Sequence, residues 1–172
     1  MKKTKKYILA GVLSILVISG LLAEVKSLAF ANESANGQGK LVNEDGSQSQ
    51  FNFTAQRNPN GKVTGQASLR NPSYKTSNGQ NELINIDISC LKIVGNVAVI
   101  GGWAKRKNSQ TKAEAVYFAV EDGRNSGADK IFRGFYFDDD PNTDGDAQLC
   151  QTLETDVLVL EPIADGNILV NR

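Results

Sequence analysis

Histidine is absent from the 172-residue chain. That excludes Ser-His-Asp and Cys-His catalysis, imidazole general bases and His-ligated zinc or copper sites. Cysteine is nearly absent too, with Cys90 and Cys150 alone. A zinc site built on them would need two acidic ligands and would compete with a disulfide. No glycine-rich phosphate loop of the P-loop or dinucleotide type occurs. No segment keeps a helical hydrophobic period over three turns, and there is no internal repeat. Any enzymology is left to carboxylates, tyrosine or lysine. The candidate carboxylates are Glu121 and Asp122 with Asp129 and Asp138–Asp140, all in loops. Paired carboxylates cleave glycosides only at a suitable separation, and acidic loop residues are more often solvated or ion-binding. A non-enzymatic protein is therefore expected.

The amino terminus carries the one long apolar run. Met1-Lys-Lys-Thr-Lys-Lys6 precedes an apolar stretch from Tyr7 to Ala23, and Ala29-Phe-Ala31 follows. A basic start, an apolar middle and a small-residue site are the parts of a secretory signal peptide, with cleavage expected before Asn32. The alternative is an uncleaved anchor, since the run is near the lower length limit for a span. Gly11 and Gly20 interrupt it, which favours cleavage. The lysine-rich start points to a bacterial export signal and a secreted, periplasmic or extracellular destination.

The organisation expected is a signal peptide at 1–31, a flexible Asn-, Ser- and Gly-rich leader at 32–39, and one β-domain at 40–172. Loss of the signal takes Lys+Arg from 19 to 14 and Asp+Glu from 19 to 18, a net charge of −4. A mildly acidic domain argues against nucleic acid, and against membrane surfaces once the signal is cleaved. The run Lys105-Arg-Lys107 is too short to reverse this and reads as a solvated hairpin tip.

Alternation of apolar and polar residues marks the strands. Phe51, Phe53 and Ala55 share a face of Gln50–Gln56, and Asn58-Pro-Asn-Gly61 turns the chain into Val63–Leu69. A longer connection at 71–80 leads to Leu83–Leu91, where Ile84, Ile86, Ile88 and Cys90 fall on one face and Asn85, Asp87 and Ser89 on the other. Val94-Gly-Asn96 is the next tight turn. In Val97–Trp103 the pair Gly101-Gly102 predicts a bulge or a close backbone approach. A short first strand at Lys40–Val42, with Ala115–Val120, Ile131–Phe137, Val157–Leu160 and Gly166–Val170, completes the set, with a helical turn or irregular chain at 147–154. The fold class is all-β, a single antiparallel sandwich or flattened barrel of about eight or nine short strands. Trp103, Tyr74, Tyr117 and Tyr136 are candidates for sugar stacking, although strand aromatics more often pack in cores.

Two motifs bear on sites. An oxidising destination and a cysteine count of two make a Cys90–Cys150 disulfide the expected state. The run Asp138-Asp-Asp140-Pro-Asn142-Thr-Asp144-Gly-Asp146 contains the first half of the alternating-oxygen calcium loop, Gly145 permitting its turn. The twelfth position, counted from Asp140, is Gln151 where the full loop has a bidentate Glu. The candidate Ca2+ ligands are thus Asp138, Asp140, Asn142, Asp144, Asp146 and Gln151. The alternative is a solvated acidic loop.

The ordered motifs Phe51-Asn-Phe-Thr-Ala-Gln56, Cys90-Leu-Lys-Ile-Val-Gly-Asn-Val-Ala98 with Gly101-Gly102, Phe118-Ala-Val-Glu-Asp-Gly123 and Gly166-Asn-Ile-Leu-Val170 resemble the bacterial secreted domains labelled post-COAP. The resemblance spans most of residues 50–170. It implies a secreted all-β domain and brings no catalytic residues; the calcium-like run is no part of it. The function expected is an exported binding or surface-structural β-domain, with calcium as a stabiliser and a protein or glycan partner. A carbohydrate-binding module is the alternative, and a carboxylate-based glycan-cleaving enzyme the third reading.

Overall fold

Strict alternation over Gln48–Arg57 (β2) buries Phe51, Phe53 and Ala55 and leaves Gln50, Asn52, Thr54 and Gln56 exposed. A strand of this kind packs one face on a core and leaves the other to solvent. The computed structural model describes residues 32–75, 79, 81–106, 114–125, 127–132, 136–137 and 146–172. The expected signal peptide lies outside the described residues. On one side β2 pairs with Ser34–Val42 (β1), which pairs in turn with Asp165–Asn171 (β10). On the other side follow Val63–Lys75 (β3), Asn81–Val94 (β4), Val97–Arg106 (β5) and Glu114–Glu121 (β6). Short strands Lys130–Phe132 (β7), Tyr136–Phe137 (β8) and Leu160–Pro162 (β9) finish that side, β7 and β8 both on β6 and β9 on β7. Every pairing is antiparallel. The result is one strongly curled sheet, a half-barrel, so the choice between sandwich and barrel falls to the barrel side.

The concave face holds the main core. Leu69, Ile84, Ile86, Leu91, Ile100, Val116 and Ile168 are each almost fully enclosed. Burial of such side chains stabilises by roughly 1.5–3 kcal/mol apiece before entropy is counted. The opposite walls touch: the Phe53 ring on β2 meets Phe118 on β6 edge to face at 5.6 Å. Turns at Gly46 and Gly61 take φ of +78° and +82°, which only glycine adopts without strain.

The flexible leader expected at 32–39 is instead most of β1. Its glycines lack side chains of their own to bury, yet Gly37 lies opposite Phe53 and Gly39 opposite Phe51. A Cβ on Gly39 would come within 2.8 Å of the Phe51 ring. The rings therefore cover the glycines, and a Gly-rich segment becomes a well-packed strand. Smaller departures occur elsewhere. β5 continues through Arg106, so Lys105 and Arg106 belong to a strand. The strand expected at Val157–Leu160 is displaced to β9, and Val157 and Val159 are exposed.

Cys90 does not share the face of Ile84, Ile86 and Ile88 that alternation predicts for it. Ile88 pairs with Gly102 and Cys90 with Gly101, so Ser89 is an extra residue, a β-bulge in β4. The bulge reverses the alternation: Ile88 and Leu91 face the main core while Cys90 points to the convex side. There it joins Val99, Ala119 and Cys150 in a small second cluster, flanked by Tyr117, Phe132 and Leu153. The cover is the 3-10 helix Ala147–Gln151, held by the Cys90–Cys150 disulfide with Cα atoms 6.2 Å apart. Gly101 makes room for it, since a Cβ there would lie 3.1 Å from the Cβ atoms of both cysteines and closer still to the Ala147 carbonyl oxygen. The close approach expected of Gly101-Gly102 is observed.

Candidate functional site

Curling the sheet leaves its outermost edges to be joined. Asp122 and Asp129 bracket the loop between β6 and β7, and both reach β10. Asp122 Oδ2 accepts the Val170 N–H at 3.0 Å, and Asp129 Oδ2 accepts the Ile168 N–H at 2.6 Å. The other oxygens accept the Arg124 and Gly123 N–H groups at 3.0 and 2.7 Å. The Arg124 guanidinium lies 2.7 Å from Asp122 Oδ2 and donates to the Val170 carbonyl at 2.8 Å. Burial pushes the Asp122 carboxyl upward, but the hydrogen bonds and charge from Arg124 and the Val170 N–H outweigh it and hold the group below its ordinary value. Two of the carboxylates that sequence offered for chemistry, Asp122 and Asp129, are thus acceptors for an edge strand.

Four of the expected calcium ligands, Asp138, Asp140, Asn142 and Asp144, lie outside the described residues. The other two have defined contacts. Asp146 caps the 3-10 helix, its side chain accepting the Gln148 N–H at 2.8 Å and its carbonyl accepting the Tyr117 hydroxyl. Gln151 lies at the far end, its amide nitrogen donating to the Leu91 carbonyl at 2.9 Å. Among the described residues no group of three or more acidic or cysteine side chains is gathered closely enough to hold a metal. Of the aromatic candidates, Trp103 and Tyr117 share the convex face through their paired partners Ala115 and Gly101. Tyr117 is drawn under the covering helix, and the side chains of Tyr74 and Tyr136 lie outside the described residues.

The site that sequence reasoning missed is on the convex face of β1 to β4 and β10. Strand register aligns polar side chains into rows across the sheet. Asn36, Thr54 and Gln66 form one row and Gln38, Asn52 and Ser68 the next. Lys40, Gln50 and Arg70 form the third. The Asn52 amide donates to the Ser68 hydroxyl at 2.8 Å. An open trough of about 590 Å³ runs over these rows, floored by Gly39 and flanked by Leu83 and Asp165. A shallower hollow at Asn36 and Asn167 adjoins it, sharing Gln38 and Asn52. The amides were visible in sequence as the polar half of each alternation. Their gathering around one concavity depends on register.

No protein family, curated protein or solved structure matches the chain. Amides and hydroxyls both donate and accept hydrogen bonds, so the rows suit a ligand rich in hydroxyl or amide groups. They offer no nucleophile with an adjacent base.

Proposed function

We propose that the protein is an exported, non-enzymatic binding domain whose ligand lies on the convex polar face of β1 to β4 and β10. The observation that carries this reading is the set of exposed amide and hydroxyl rows around the 590 Å³ trough. The trough's volume falls within the range of about 300–1,000 Å³ usual for ligand-binding clefts. The engagement of Asp122 and Asp129 with β10 supports a non-enzymatic role, since each already accepts backbone donors. The buried disulfide is compatible with an oxidising compartment. No helix of the described residues is long and apolar enough to cross a membrane. The resemblance to the post-COAP domains agrees with export from a bacterium. Calcium, as a stabiliser held by the Asp138–Asp146 run, is a separate part of the proposal.

The test is obstruction of the trough. Asn52 is exposed in mid-strand, so Asn52→Trp fills the concavity while the melting curve stays within a degree or two of the parent. On a broad panel of glycans and cell-wall fragments the parent protein is expected to retain ligands that the variant releases. Retention of the same ligands by Asn52→Trp would place binding elsewhere.

A further inference from the structure

The third row of the polar face differs from the other two. Lys40 lies opposite Gln50, and Gln50 opposite Arg70, so the two cations stand two strands apart on one face. Strand spacing makes that roughly 10 Å. Among the described residues neither has a strong partner. Lys40 reaches Asp165 at 3.8 Å, with the Asp165 side chain 75% exposed, a loose surface pair that contributes little. Arg70 is exposed, and among the described residues no carboxylate pairs with it. Both line the trough, as do the uncharged Gln38, Asn52 and Ser68 of the adjoining row.

Resting on the binding reading above, we propose that the trough binds a carboxylate-bearing polysaccharide laid across the strands. Lys40 and Arg70 each take a carboxylate, and Gln38, Asn52 and Ser68 bond the hydroxyls between. Charge complementarity selects an anion. The planar Arg70 fork matches a carboxylate with two parallel hydrogen bonds. The amide and hydroxyl row selects a polyol, because each group can donate to or accept from a sugar hydroxyl. The domain's net charge of −4 beyond Ala31 disfavours polyanions of high charge density such as nucleic acid, which are held mainly by a basic field. Widely spaced charges on a hydroxylated chain fit two separated cations better.

The experiment is calorimetric titration of the purified protein with polygalacturonate oligomers, and with the same oligomers methyl-esterified. Esterification keeps the hydroxyls and removes the charge. The acid form is expected to bind at least about tenfold more tightly, and to weaken as salt rises from about 0.05 to 0.5 M. Arg70→Gln and Lys40→Gln should each cost roughly tenfold and flatten the salt dependence. Equal binding of acid and ester, or full affinity in both charge variants, overturns the inference; the binding reading survives that result if Asn52→Trp still blocks the glycan. Tighter binding of a glycerol-phosphate polymer than of any polyuronate also overturns it, in favour of a phosphate ligand. No binding of polygalacturonate, alginate or hyaluronan overturns it outright. The broader reading falls with it only if Asn52→Trp also leaves retention on the wider panel unchanged.

Discussion

Asp129 and Ile168, 39 residues apart in sequence, are joined by a carboxylate-to-backbone hydrogen bond of 2.6 Å. Together with Asp122 and Val170 it links the loop after β6 to the strand at the other limit of the sheet. The closure uses side chains where a full barrel would use another ladder. It satisfies two N–H groups that β10 would otherwise present at an open edge.

Asp122→Ala should therefore destabilise the fold by about 1–3 kcal/mol in urea titration, from the unpaired Val170 N–H and the lost Arg124 pairing. The pH dependence has a definite sign. A carboxyl held below its ordinary value when folded adds stability above the unfolded value, about pH 4, and loses it as pH falls through the folded value. The parent should weaken on acidification below about pH 4 more steeply than Asp122→Asn, which cannot ionise. Parallel curves for the two proteins would show that this group does not contribute to acid unfolding.

The disulfide closes a loop with a sequence separation of 60 and attaches the covering helix to β4. Its removal in a Cys90→Ser, Cys150→Ser double variant should cost about 2–5 kcal/mol. Hydrogen exchange should report where: amides of 147–153 lose protection first, while those of β2 and β3 keep theirs. Peptide mapping without reductant checks the bridge itself, and two alkylatable thiols in native protein would refute it.

Calcium is expected to raise the melting temperature, because the five carboxylates from Asp138 to Asp146 repel one another unless a cation neutralises them. Gln151 in place of Glu points to weak affinity, roughly 10⁻⁴–10⁻³ M as in extracellular modules. At a hundredfold excess over Kd the stabilisation would be about 2.7 kcal/mol. Asp140→Ala or Asp144→Ala should abolish the shift, and Asp156→Ala should preserve it. A melting curve unchanged across millimolar calcium, with no calorimetric heat, makes the run a solvated loop.

Local chemistry was enough to read much of the fold. The period of two in Gln50–Gln56 placed Phe51, Phe53 and Ala55 in the core, and Ile84, Ile86 and Ile88 followed by the same rule. Asn58–Gly61 and Val94–Asn96 announced their turns through residue type, and Gly101-Gly102 announced a close approach. Each of these depends on neighbours within a few positions, so the chain alone determines them.

What tertiary structure decided depends on partners far away in sequence. Gly37 and Gly39 look flexible until Phe53 and Phe51 are laid across them by the β1–β2 register. Cys90 belongs by alternation with Ile88, yet the single extra residue at Ser89 turns it to the convex face and toward Cys150. Asp122 and Asp129 look like candidate acids until the curl of the sheet brings β10 within their reach. Lys40 and Arg70, 30 positions apart in sequence, become neighbours on one trough only through two successive pairings. The physical reason is the same throughout: a strand's period fixes which residues share a face, but only pairing and curvature determine what that face meets.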